Sequence, residues 1–156
     1  MSKEYWTQED KDALETAQSY GELFTIAKRI LDRMPRPRGQ MCGPISTGGA
    51  GSVEANLKRF DVALEHILQN DVEVFNQMPF EVPMQRIKKE LEPNVSYSMR
   101  LLEEFYSPIF ENKLVDTLYF LPDWKTSRGA NWEHDQAQRL GIEIIYLPED
   151  LFSTGI

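Results

Sequence analysis

Within residues 8–34, Leu23, Ile26, Ala27, Ile30, Leu31 and Met34 recur at three-and-four spacing, which places them on one face of a helix. Gly21 is expected to divide the stretch into two helices. The run Pro35-Arg36-Pro37-Arg38-Gly39 ends it, because proline lacks the N–H a helix needs and drives the preceding residue towards extended backbone. A short apolar stretch, Gln40-Met41-Cys42-Gly43, then enters the loop Pro44-Ile45-Ser46-Thr47-Gly48-Gly49-Ala50-Gly51. Beyond it Ser52 is a candidate N-cap for a helix whose apolar stripe is Val53, Leu57, Phe60, Leu64 and Ile67 or Leu68. Val72-Glu73-Val74-Phe75-Asn76, entered through Asn70-Asp71, reads as the next strand. Strand, glycine-rich loop, helix and strand make a βαβ unit of the kind that builds parallel sheets.

The segment 79–98 carries Pro79, Pro83 and Pro93 among charged residues, with one helix expected near 84–91. A helix over about 97–110 turns Met99, Leu102, Phe105 or Tyr106, and Ile109 inward, and Pro108 should kink or end it. The apolar run 114–121 suits a strand covered on both faces. A turn at 122–126, a helix at about 128–140, a C-terminal cap at Gly141 and a strand over 142–147 complete the pattern. The predicted fold is α/β, a small doubly wound, Rossmann-like parallel sheet of four to five strands flanked by helices. Residues 1–39 form an N-terminal helical extension and 40–156 the domain proper. In such sheets ligands bind at the carboxyl ends of the strands, which draws attention to the loops 43–51 and 122–129.

Composition narrows the function. With 156 residues, 41% of them hydrophobic, the chain can bury one core. A formal net charge of −8 offers no broad field for a phosphate backbone, so polymeric nucleic acid is not an expected partner. A single nucleotide is not excluded, since one phosphate needs only a few N–H groups and an arginine. Cys42 is the single cysteine and the first residues carry no apolar leader, which points to a reduced, cytoplasmic setting. No run reaches the roughly 18 apolar residues of a membrane helix. His66 and His134 are remote from each other and from Cys42, so neither a zinc site nor another cofactor is expected.

Ala130, Glu133, Ala137 and Leu140 share one face of the last helix, and apart from Glu133 that face is small and apolar. A carboxylate on an inward stripe costs several kcal/mol to desolvate unless compensated. It is either a structural group bonded to amides or an arginine, or a functional acid at the mouth of the sheet. The preceding Thr126-Ser127-Arg128-Gly129 combines a hydroxyl cap, a guanidinium and a glycine at a helix N-terminus, as a phosphate or ribose hydroxyl would require; an ordinary cap beside an exposed arginine is the competing account. The first loop, Gly43-Pro44-Ile45-Ser46-Thr47-Gly48-Gly49, matches neither a Walker A sequence nor a G-x-G-x-x-G fingerprint. Trp124 and Trp132 could stack a base or simply pack, and Asn76, Gln77 and Glu81 could read a base edge or be ordinary loop residues. Cys42 is a poor nucleophile, having no histidine near it in sequence.

The Cys-Gly-Pro loop after the first strand, and the passage from Leu121-Pro122-Asp123-Trp124 through Ser127-Arg128-Gly129-Ala130 to Glu133, resemble the nucleoside 2-deoxyribosyltransferase superfamily. The nearest likenesses are its 2′-deoxynucleoside 5′-phosphate N-hydrolases and small phage and bacterial domains of unassigned function. The resemblance covers roughly residues 40–147. It implies a glutamate, matched by Glu133, that attacks C1′ and expels the base to leave a glycosyl ester, which passes to water or to a second base. It further implies phosphate binding by the serine matched by Ser127, where enzymes of free nucleosides carry aspartate, and a homodimer or larger assembly. Two features depart from the pattern. Gln40 stands about where an aromatic residue is common, and the helix aspartate expected near Ser107 and Pro108 is missing, Glu103 and Glu104 being the nearest acids. Asp123 on the exit loop is the better substitute acid; Asp116, at the start of its strand, is the worse. The expected function is therefore cleavage of the N-glycosidic bond of a nucleoside 5′-monophosphate, with Glu133 and Asp123 catalytic and residues 43–49, Ser127, Arg128 and Gly129 binding. The alternative is a non-catalytic nucleotide-binding module using the same pocket.

Overall fold

The computed structural model describes residues 5–45, 49–69 and 72–152. In chain order the helices and strands are α1 (Gln8–Thr16), α2 (Tyr20–Arg33), β1 (Arg38–Cys42), α3 (Val53–Leu68), β2 (Glu73–Val74), α4 (Glu81–Leu91), α5 (Met99–Leu101), α6 (Ser107–Glu111), β3 (Thr117–Phe120), α7 (Arg128–Leu140) and β4 (Glu143–Tyr146). They fall into two compact units, Met1–Pro35 with Asn76–Leu114, and Arg36–Phe75 with Val115–Ile156. The helical extension expected over 1–39 belongs, as far as Pro35, to the first unit together with 76–114.

The first unit is helical. Thr7 opens α1 with a capping box: its hydroxyl accepts from the Asp10 N–H while the Asp10 carboxylate accepts from the Thr7 N–H. Ser19 opens α2 by accepting from the Glu22 N–H at 3.1 Å. The break between the two helices therefore lies at residues 17–19, where a hydroxyl cap is available, and Gly21 sits inside the first turn of α2. The buried face of α2 is the one its spacing predicts, Leu23, Ile26, Ala27, Ile30 and Leu31. α4 begins at Glu81, earlier than expected, because Pro83 lies in the first turn, where a missing N–H leaves no bond unmade. Pro108 does not end its helix. A π-helical turn over Leu102–Tyr106 runs into α6, and this widened turn accommodates a ring that a regular ladder would exclude.

The second unit holds the sheet, four parallel strands in the order β2-β1-β3-β4. β1 and β3 are buried along their whole lengths, as central strands covered on both faces must be, whereas β4 forms a more exposed edge. β1 begins at Arg38, ahead of the run that announced it, whereas β2, β3 and β4 are shorter than theirs, yet the ladder continues beyond them. The Asp116 and Leu121 N–H groups donate to the Arg38 and Cys42 carbonyls at 2.8 and 3.0 Å, and the Phe75 N–H to the Gly39 carbonyl at 2.8 Å. α7 ends at Gly141, the predicted cap, in the left-handed conformation. On α3 the inward face is Asn56, Phe60, Ala63 and Ile67, and Val53 is 37% exposed. The helix is rotated from the expected stripe because Asn56 turns inward to hold the loop before it.

Candidate active site

β2 and β3 flank β1 on opposite sides. The chain reverses direction across the sheet there, and in such sheets ligands settle outside the carboxyl ends of the two strands at that point. The loops leaving β1 and β3 are fastened together. A Cβ on Gly43 would lie 3.0 Å from the Leu121 Cβ, so the two strand ends approach as closely as a side-chain-free residue allows. The Gly49 N–H donates to Thr126 Oγ1 at 2.7 Å. Gly49 itself adopts φ +64°, and a Cβ there would meet Asn56 Oδ1 at 2.5 Å. Asn56 clamps the loop from below, accepting from the Ala50 N–H at 2.8 Å and donating to the Ile45 carbonyl at 3.0 Å. From the same helix the Arg59 guanidinium pairs with Asp123 and lies 4.7 Å from the centre of the Phe152 ring. Ser46, Thr47 and Gly48, candidate ligand-binding residues of this loop, lie outside the described residues.

Glu133 lies on α7, the helix that follows the second of these loops. Ala130, Glu133 and Ala137 form the buried line of α7. Gln40 and Cys42, two residues apart and so on one face of β1, both reach the carboxyl: Gln40 Nε2 donates to Glu133 Oε2 at 3.2 Å, and the Cys42 thiol donates as well. Burial pushes the Glu133 carboxyl up to about 8, against the pull of these two neutral donors. The Cys42 thiol rises well above its usual range, through burial first and the adjoining carboxyl second. At the start of the same helix the buried Ser127 hydroxyl caps α7 by accepting from the Ala130 N–H at 3.1 Å, which leaves its own hydrogen to donate. Arg128 is exposed and Gly129 half-buried at the same helix end. A buried carboxyl in this setting can surrender a proton or, once ionised, act as a nucleophile in a poorly hydrated site.

The family model of a domain of unknown function, DUF4406, matches residues 41–146, more than half of the chain. The chain belongs to the DUF4406 family. No curated protein and no solved structure matches it. The DUF4406 match starts within β1 and stops at the last residue of β4, so it takes in both loops, Ser127 and Glu133, and leaves α1 and α2 outside.

Other residues singled out in the sequence are occupied elsewhere. Asp123 makes its ion pair with Arg59, and no hydrogen bond joins it to Glu133. Asp116 accepts from the Arg38 N–H at 2.8 Å and from Arg36 at 2.6 Å, holding the opposite end of β3. Trp124 stacks on His134 at 4.3 Å between ring centres, with Phe120 edge-on and Tyr146 alongside, so it serves packing; His134 Nε2 lies 2.6 Å from the Tyr146 hydroxyl. Trp132 is half-buried on α7. Asn76, Gln77 and Glu81 belong to the first unit, where Asn76 Oδ1 accepts from the Met78 N–H at 3.1 Å and burial pushes Glu81 up to about 7. Glu104 pairs with Arg100 on the same helical run. Among the described residues no three His, Cys, Asp or Glu side chains converge as a metal ion would require, and no helix is long and apolar enough to cross a membrane.

The periodicity pointed to neither Asn56 nor Arg59. Asn56 left a trace, a polar residue four positions before Phe60 on what proves to be the inward line of α3. Arg59 left none, because its partner Asp123 is 64 positions away.

Proposed function

We propose that this DUF4406 chain cleaves the N-glycosidic bond of a nucleoside 5′-monophosphate, with Glu133 as nucleophile at C1′. The observation that carries the reading is the placement of Glu133: a carboxyl buried on the helix that Ser127 caps, tied to β1 through Gln40 in mid-strand and Cys42 at its carboxyl end, beside the point where the sheet order reverses. Attack by the carboxylate forms the C1′–O bond as the C1′–N bond breaks and the base departs with the electron pair. A proton from solvent completes the departing base; water then attacks C1′, the C1′–O bond to Glu133 breaks, and the carboxylate is regenerated as water's proton returns to solvent. The Ser127 hydroxyl and the amides at the start of α7 suit the 5′-phosphate, since an oxyanion is favoured at a helix N-terminus. Arg128, Gly129 and the loop through Gly43, Pro44, Ile45 and Gly49 would frame phosphate and sugar.

A nucleotide-binding module without turnover is the second reading, favoured by the pairing of Asp123 with Arg59, which leaves Glu133 without an acidic partner hydrogen-bonded to it among the described residues. Incubation with a panel of ribo- and deoxynucleoside monophosphates, followed by chromatography for free base, separates the two. Release that Glu133→Gln abolishes supports the enzyme. Saturable binding with no free base after long incubation supports the module, and release undiminished by Glu133→Gln removes Glu133 from the chemistry.

A further inference from the structure

Gln40 is fully buried and commits its Nε2 to Glu133, but its carbonyl Oε1 has no hydrogen-bond donor among the described residues. A buried acceptor without a donor carries an uncompensated loss of hydration. Sealed from bulk water, it is satisfied by a donor brought into the site, a substrate hydroxyl or an ordered water. The N-glycosidase reading, on which this inference rests, says where that donor would sit. A carboxylate about to attack C1′ lies roughly 3–3.5 Å from it. The substituent on the neighbouring ring carbon, C2′, then faces what is hydrogen-bonded to the carboxylate, in this chain the Gln40 amide and the Cys42 thiol, and of the two the amide holds the acceptor left open.

We propose that Gln40 is a specificity-determining residue whose Oε1 accepts the 2′-hydroxyl of the substrate, so that the nucleotide taken is a ribonucleoside 5′-monophosphate in preference to its 2′-deoxy counterpart. A 2′-deoxy sugar brings no donor and leaves Oε1 unmatched. A sugar with the hydroxyl satisfies it, and that hydrogen bond tightens as positive charge develops at C1′. The discrimination therefore falls on kcat/KM as well as on binding.

The experiment compares matched ribo- and 2′-deoxyribonucleoside monophosphates of each base on the wild type and on Gln40→Met, which keeps the length of the side chain but offers no amide. Dividing the wild-type ribo-to-deoxy ratio of kcat/KM by that of the variant cancels the intrinsic difference in reactivity between the sugars. The expected quotient is on the order of tenfold or more. A quotient near one assigns Oε1 to an ordered water and overturns the proposal. If Gln40→Met fails to fold, calorimetry on the wild type decides: tighter binding of the ribonucleotide is expected, and equal or weaker binding overturns the proposal. If no nucleotide is cleaved, the N-glycosidase reading fails on its own, and the same quotient taken from dissociation constants judges Gln40 independently. Binding of neither sugar overturns both.

Discussion

Gln40 and Glu133 are joined by one hydrogen bond of 3.2 Å, from an uncharged amide to a carboxyl almost wholly out of water. Cys42, which also acts on that carboxyl, is an uncharged thiol, so among the described residues no cation offsets the burial that pushes Glu133 up to about 8. At pH 7 most molecules then hold Glu133 protonated, and only the ionised fraction can attack. For base release, kcat/KM should rise close to tenfold per pH unit below about 8 and level off above it. Gln40→Met removes a donor that favours the carboxylate and should move the rise to higher pH. A pH–rate profile between pH 5.5 and 9.5 checks both, and a rate already level across that range, as for a carboxyl at its ordinary 4.5, would be incompatible with this environment.

The same burial links Glu133 to stability. Its carboxyl titrates at 4.5 when unperturbed and at about 8 in the fold, so the native state favours the neutral form. The stability this allows is fully present below pH 4.5, declines as pH rises towards 8 at about 1.4 kcal/mol per pH unit, and is constant above. Glu133→Gln, similar in shape and always neutral, should therefore melt higher than the wild type by a margin that widens between pH 5 and 8. Paired thermal unfolding curves across that range provide the test, and a constant margin would mean that the wild-type carboxyl is already ionised in the fold.

Ser127 serves the helix and, in the proposed function, the phosphate, and two substitutions separate these roles. Ser127→Ala loses the acceptor for the Ala130 N–H and should cost about 1 kcal/mol of stability as well as affinity for the 5′-phosphate. Ser127→Asp still caps the helix, aspartate being as good an N-cap as serine, but it puts a negative charge where the phosphate would lie. It should keep a melting temperature near that of the wild type while KM for nucleotides rises at least tenfold and that for the corresponding nucleosides does not. Equal losses on nucleotide and nucleoside would remove the phosphate from this helix end.

The parts of this fold that local physics governs were legible in the sequence. The face of α2, the parallel sheet of strands alternating with helices, the Gly141 cap and the inward position of Glu133 each follow from spacings of a few residues. Where a prediction missed, a particular partner had prevailed over a pattern. Ser19 moved the helix break away from Gly21, and Asn56 rotated α3 so that Val53 faces outward. The site was legible on the side of α7, where Ser127 and Glu133 are six residues apart. It was not legible on the side of its partners, since Gln40 lies 93 positions from Glu133 and Asp123 bonds 64 positions away to Arg59.

Asp10 supplies the opposite pH dependence, in the first unit. Burial by itself would raise its carboxyl, but the Arg33 guanidinium and the Thr7 cap outweigh that and hold it at about 2, against 3.8 when free; Arg29 approaches its other oxygen at 3.3 Å. Because the folded value is the lower one, the associated stability is present above about pH 3.8 and is lost as pH falls through 2. Asp10→Asn keeps the side chain's size but cannot carry the charge, so it should cost about 1–3 kcal/mol at pH 7. That cost should shrink steadily below pH 3.8, as the wild type loses the same interaction. Thermal unfolding of both proteins from pH 7 down to pH 2.5 measures the difference. A gap that stayed constant to the lowest pH would show that Asp10 acts through its capping bond to the Thr7 N–H alone, without its charge.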